Sequence, residues 1–166
     1  IANLSRSAQG EYNEDYNYAI GESTEPGSTF KLASVMAALE DGLITLSDTV
    51  DLENGKHRFL DRIMTDAHGP KERRVSVQKA FEESSNVGIS KLIYKSYIKK
   101  QQDFVDRLYS FNINKELGLQ ITGESKPRIK GTKAKDWSGT TLPWMSIGYE
   151  VRMTPLQILN FYNTVA

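Results

Sequence analysis

The sequence predicts an α/β domain of the α+β kind: a helical lobe beside a short N-terminal strand region. Three observations predict it. Apolar residues Leu32, Val35, Met36 and Leu39 recur at helical spacing after Pro26-Gly27, and Gly42 stands where a C-terminal cap belongs. Tyr16-Asn17-Tyr18-Ala19-Ile20 alternates as a half-buried strand does. From residue 75 onward, apolar positions repeat at helical spacing in several further segments.

Taken in order, residues 1–27 mix turn formers with short apolar pieces, so a strand or extended loop is expected around residues 16–20. A long helix follows from Ser28. Residues 43–74 carry scattered Asp, Gly and Pro and read as loops with short extended pieces. Helices are expected over residues 75–83, 87–97 and 101–111, with Ser84-Ser85-Asn86 as a polar break and Phe104, Leu108 and Phe111 on one face. Residues 126–135 hold five basic side chains and lead to Trp137 and a Gly-Thr-Thr-Leu-Pro loop. Thr154-Pro155 then opens a last helix as N-cap and first-turn proline, with Ile158, Leu159, Tyr162 and Val165 as its expected buried face.

Composition removes several classes of function. The 166 residues fit one domain, with no second domain, internal repeat or linker. The 21 Lys and Arg balance 21 Asp and Glu, so no bulk attraction to nucleic acid or to an anionic membrane is expected. Without cysteine there is no disulfide, thiolate nucleophile or Cys-based metal site; His57 and His68 are the two imidazoles, and metal catalysis is not expected. No apolar run reaches the roughly 18 residues that span a bilayer, and residues 1–5 lack the pattern of an export signal. The chain is expected to carry neither an anchor nor a signal of its own.

Few constellations can carry chemistry. Gly118 to Gly123 has the glycine spacing of a phosphate loop, but Glu124 stands where the lysine should be, and a carboxylate there repels phosphate. The basic stretch has only Trp137 nearby for stacking and reads as a solvated loop. No Gly-x-Ser-x-Gly turn frames a serine for either histidine, so both histidines read as surface or hydrogen-bonding groups.

Ser28-Thr29-Phe30-Lys31 is different. At the start of a helix the serine hydroxyl lies near unpaired N–H groups and the positive end of the dipole, and a lysine three residues on is one turn away. Such a pair suits a nucleophile and its proton acceptor, provided that enclosure depresses the lysine pKa. Spacing alone does not select it, because chance supplies about one Ser-x-x-Lys in a chain of this composition and three occur, at Ser28/Lys31, Ser76/Lys79 and Ser96/Lys99. Ser-x-Asn occurs at Ser84/Asn86 and Ser110/Asn112. Context favours Ser28, which follows a glycine turn, and Ser84, which sits at an interhelical break. On physical grounds the set Ser28, Lys31, Ser84 and Asn86 reads either as a functional site or as capping and turn chemistry.

Glu25-Pro26-Gly27-Ser28-Thr29-Phe30-Lys31, then Ser84-Ser85-Asn86-Val87-Gly88, then Thr154-Pro155-Leu156-Gln157 followed by Phe161-Tyr162 and Ala166, resemble in order and context the transpeptidase domain of penicillin-binding proteins. The resemblance covers essentially the whole chain. Thr65-Asp66-Ala67-His68 ahead of Val75-Ser76-Val77, and Leu117-Gly118-Leu119 with Gly123-Glu124, are most similar to the monofunctional class B branch.

The resemblance implies the penicillin-binding transpeptidase and serine β-lactamase-like fold, represented by the helical lobe and N-terminal strands with an incomplete sheet. It implies that Ser28 attacks the penultimate D-Ala carbonyl of a peptidoglycan stem peptide, with Lys31 accepting the hydroxyl proton. Ser84 would relay a proton to the leaving D-Ala, and Asn86 would bind the donor peptide and pair with Lys31. β-Lactams would acylate Ser28, and no metal or organic cofactor is implied. Stem peptides, β-lactams and other cell-wall synthesis proteins are the implied partners, nucleic acid is not, and the implied location is the outer face of the bacterial cytoplasmic membrane through an anchor outside this chain.

The family's third motif, Lys-Thr-Gly or Lys-Ser-Gly, is missing, and Lys130-Gly131-Thr132 has the wrong order and place. The chain is therefore expected to be a partial domain over residues 1–166. Serine β-lactamases and β-lactam sensors share Ser-x-x-Lys and are the nearest alternative, separated by turnover of a chromogenic cephalosporin. A non-catalytic binding or scaffolding module is the alternative of another class.

Overall fold

The computed structural model describes residues 4–166. Strands β1 (Leu4–Arg6) and β2 (Tyr12–Glu14) form an antiparallel hairpin with Leu4 opposite Glu14. The strand expected over residues 16–20 is instead a single helical turn, α1 (Tyr18–Gly21). Asn17 causes this: its side-chain oxygen accepts the Ala19 N–H at 3.2 Å, and its carbonyl accepts the Gly21 N–H at 2.8 Å. Ala19, Ile20 and Gly21 are buried consecutively, which the alternation of a strand forbids.

A 3-10 turn, Gly27–Phe30, runs directly into α2 (Lys31–Glu40), and Gly42 ends the helix at φ +64°. Ala33, Ala37 and Ala38 are wholly buried along α2. Their small side chains let α3 (Val77–Glu82), α4 (Asn86–Tyr97) and α5 (Gln101–Ser110) pack against it, so α2 is the axis of the lobe. Val87, Ile89, Ile93, Phe104, Val105 and Leu108 fill the space between these helices.

Between α2 and α3 lie two antiparallel ribbons. β3 (Thr49–Asp51) pairs with β6 (Arg74–Ser76), and β4 (Lys56–Phe59) pairs with β5 (Arg62–Thr65). The pairing of β6 is why the helix expected from residue 75 begins at Val77: Val75 is held opposite Val50, and Ser76 becomes the N-cap. The loop expected after Trp137 contains a helix, α6 (Thr141–Met145). Pro143 sits in its first turn, where the missing N–H has no intrahelical partner to lose. β7 (Arg128–Ile129) and β8 (Val151–Arg152) form a last ribbon, so the strands of the described residues pair only in twos.

The last helix, α7 (Pro155–Val165), has both halves of a capping box between Thr154 and Gln157. Its expected buried face is corrected. Gln157 and Phe161 are buried and Ile158 is half-buried, whereas Leu159, Tyr162 and Val165 are 52%, 38% and 42% exposed. A polar residue goes inside because Gln157 Nε2 donates to Ser125 O at 2.8 Å and to Glu124 Oε1 at 3.1 Å, and Phe161 then meets Phe111 on the same side.

Candidate active site

Ser28 is exposed within the 3-10 turn, and Lys31 is the first residue of α2, one turn further on. Because the tight turn merges with the helix without a break, the lysine is carried inward while the serine stays at the surface. Lys31 is only 1% exposed, and its Nζ donates to three oxygens: Ser84 O at 2.5 Å, Ser84 Oγ at 3.0 Å and Asn86 Oδ1 at 2.7 Å. Three of the four predicted residues, Lys31, Ser84 and Asn86, therefore meet. Ser28, Ser84 and Asn86 line one cavity of about 480 Å³, and the buried Lys31 amine is hydrogen-bonded to two of these lining residues.

Local structure explains each placement. Ser84 holds a left-handed φ of +52°, uncommon for a residue with a side chain. The hydrogen bonds of the Ser84 and Ser85 N–H groups to Phe81 O and Ala80 O close the end of α3 and impose that turn. Ser85 then caps α4 by accepting the Gly88 N–H at 2.8 Å. Asn86, in the first turn, is fixed at both ends of its amide: Nδ2 donates to Thr65 O at 2.8 Å while Oδ1 faces Lys31.

Burial lowers the Lys31 pKa from its ordinary 10.5 to about 8, against the opposing pull of the Asp66 carboxylate. An ammonium has three donors, and all three are used here. A neutral amine has two donors and one lone pair, and the Ser84 hydroxyl can rotate to donate to that lone pair. The same contacts thus accommodate both protonation states of the amine.

The turn bearing Ser28 is fastened from the far end of the chain. Gly148 has φ +91°, and a Cβ on it would lie 2.0 Å from Gly27 O; the Gly27 N–H donates to Gly148 O at 3.2 Å. Ser34 Oγ donates to Ser146 O at 2.8 Å, and Tyr162 OH donates to Thr29 O at 2.9 Å. Sequence reasoning gave Thr65, Asp66 and Gly148 no place in the site. The signal for the first two was present in Thr65-Asp66-Ala67-His68, and a lone glycine between Ile147 and Tyr149 was the signal for the third.

The other Ser-x-x-Lys pairs resolve into ordinary structure. Ser76 Oγ accepts the Lys79 N–H at 3.1 Å as a helix cap, and the Lys79 amine pairs with Glu82 and Glu83 on the surface. Ser96 lies inside α4. Ser76→Ala is expected to lower stability by about 1 kcal/mol and to leave any reaction at Ser28 unchanged, as thermal denaturation and adduct formation would show. Ser110 Oγ donates to Arg107 O at 2.6 Å, as at a helix end.

The phosphate-loop spacing also has a structural explanation. The Leu117 and Gly118 N–H groups donate to the Glu124 carboxylate at 2.6 and 3.2 Å, so the loop binds its own anion. In the basic stretch, Lys130 is paired with Asp136 at 2.8 Å and with Glu150. His57 Nδ1 lies 2.9 Å from Glu53 Oε2, and His68 is exposed on the cavity rim.

The family model of the penicillin binding protein transpeptidase domain matches residues 2–166. The peptidoglycan D,D-transpeptidase FtsI of Buchnera aphidicola is 30% identical over 152 residues, covering 90% of this chain and 24% of the relative. Penicillin-binding protein PbpB of Mycobacterium tuberculosis is 27% identical over 150 residues, covering 90% of this chain and 21% of the relative. The chain thus spans about a quarter of the length of the curated relatives it matches. The crystal structure of penicillin binding protein 3 from Mycobacterium tuberculosis shares the fold, with a TM-score of 0.78 at 24% identity over 95% of this chain and 33% of that one.

Proposed function

Because the chain belongs to the penicillin-binding protein transpeptidase family, we propose that it contributes the nucleophile and proton acceptor of a peptidoglycan D,D-transpeptidase. The observation that carries this reading is the buried Lys31 amine, held by Ser84 and Asn86 one helical turn from the exposed Ser28.

In the proposed reaction, Ser28 Oγ forms a bond to the penultimate D-Ala carbonyl carbon while neutral Lys31 takes its proton. The amide bond to the terminal D-Ala breaks, and Ser84 passes the proton from Lys31 to the leaving nitrogen. Asn86 holds the donor peptide. An amine of a neighbouring stem peptide then attacks the acyl carbon, forming the cross-link, and Ser28 leaves and regains a proton. In a β-lactam the broken C–N bond belongs to the ring, so the leaving amine stays tethered and the acyl-enzyme persists. These steps need neither a metal nor an organic cofactor.

The substrate places this chemistry at the outer face of the bacterial cytoplasmic membrane, where stem peptides are joined and other wall-synthesis proteins are the natural neighbours. We further propose that the chain is one part of a transpeptidase domain. The third motif, with one oxyanion-hole N–H, is assigned to residues outside these 166, and acylation is therefore to be measured in the polypeptide that includes it.

Intact mass after incubation with penicillin should show one stable adduct per chain, and a chromogenic cephalosporin should be opened once without sustained turnover. Rapid turnover would identify a β-lactamase instead. No adduct under any condition would favour a non-catalytic module.

A further inference from the structure

Asp66, just after β5, joins the β4–β5 ribbon to α4. Its two carboxylate oxygens accept the Ser85 hydroxyl at 3.1 and 3.0 Å, and Oδ1 also accepts the Val87 N–H at 2.9 Å. Its own N–H donates to Gly55 O at 2.9 Å, and the adjoining Thr65 carbonyl receives Asn86 Nδ2. Ser85 alone already caps α4 through Gly88. The carboxylate adds a second, charged layer to a helix start that is capped without it, and Asp66 lines the same cavity as Ser84 and Asn86, which hold the buried amine.

We propose that Asp66 is a positioning residue of this site: through Ser85 and the first turn of α4 it holds Ser84 and Asn86 on the Lys31 amine, and its negative charge offsets the burial of that amine. The hydrogen bonds go to α4, so the charge is a contribution that can be removed separately from them. The opposing effects of burial and of Asp66 on Lys31 accord with this.

The other ionisable groups around the same cavity are His68, Lys71 and Glu83, and none of them takes one of the three Lys31 hydrogen bonds. On the helices packed against α2, Lys79 pairs with Glu82 and Glu83, Lys91 with Glu53, and Arg107 with Asp41.

The test follows Lys31 directly, by NMR titration of its ¹³Cε, together with hydrogen exchange of the Val87 amide. Asp66→Asn keeps an acceptor oxygen but loses the charge, so the Lys31 midpoint should fall by roughly one unit while Val87 protection is retained. Asp66→Ala should lower the midpoint and also reduce Val87 protection about tenfold, the worth of one hydrogen bond. An unshifted midpoint in Asp66→Asn, or full Val87 protection in Asp66→Ala, would overturn the proposal. If Asp66→Ala does not fold, Asp66→Asn decides alone.

The inference rests on the acyl-transfer reading only in naming what is positioned. The expected titration in a protein that no β-lactam acylates would leave the Asp66 assignment standing and remove that reading. Acylation of Asp66→Asn with an unshifted Lys31 midpoint would do the reverse.

Discussion

Lys31→Ala is expected to slow β-lactam acylation of Ser28 by about 10²–10⁴, the usual contribution of a positioned general base. The amine must be neutral to accept a proton, and its pKa is about 8. The wild-type acylation rate should therefore rise tenfold per pH unit below that value and level off above it. At pH 7 about one molecule in ten carries the reactive form. In Lys31→Ala this rise should vanish, and Asn86→Ala should cost less there than in the wild type, because the part of its effect that acts through the amine is already lost. Stopped-flow rates across pH 6 to 10 for the single and double variants would show this. Simple multiplication of the two losses would contradict the contact.

The same shift has a stability consequence whose sign can be worked out. The folded pKa lies below the unfolded 10.5, so between about pH 8 and 10.5 the unfolded chain binds more protons and stability rises with pH. This group alone gives a rise of about 3 kcal/mol over the window, an order-of-magnitude figure. Below pH 8 the contribution is flat. In Lys31→Met the rise should be absent, as denaturant titrations at pH 7.5 and 10.5 would reveal.

Gly148→Ala should impair both folding and reaction, although Gly148 makes no contact with the Lys31 amine. The added Cβ would meet Gly27 O at 2.0 Å and Gly27 C and N at 2.6 Å, all backbone atoms that no rotamer can clear. The turn bearing Ser28 must move, and a displacement of about 1 Å costs roughly 10² in rate. Overpacking adds about 1–3 kcal/mol of destabilisation, beyond the strain of alanine at φ +91°. Gly42→Ala is the control: Gly42 has φ +64° but no atom within 4 Å of a Cβ, so it should lose stability from strain and keep its acylation rate. Equal acylation rates for Gly148→Ala and wild type would mean that residues 146–148 do not set the turn that bears Ser28.

What could be read from the sequence followed from local chemistry. The helix after Ser28, the break at Ser84-Ser85-Asn86 and the Thr154 cap are written within a few residues of where they act, and all three are present. The turn at Tyr18–Gly21 was missed because two tyrosines alternate with polar groups as in a strand, while the Asn17 cap decides the conformation. The inward side of α7 was misjudged because hydrophobicity does not show that Gln157 has buried partners at Glu124 and Ser125.

In the site, the clustering of Lys31 with Ser84 and Asn86 followed the motif spacing, but the long-range pairings that support it did not. Asp66 reaches Ser85 across 19 residues, and Tyr162 reaches Thr29 across 133; no local spacing encodes either. The enclosure that lowers the Lys31 pKa is likewise a property of packing, which motif spacing cannot display.

Acylation is assigned to Ser28, with Ser76 and Ser96 serving structure. The most direct test of this assignment is fragmentation mass spectrometry of the protein after reaction with penicillin. The whole adduct is expected on Ser28, within the peptide that ends at Lys31, with no adduct in Ser28→Ala. An adduct on any other residue, or undiminished labelling of Ser28→Ala, would contradict it.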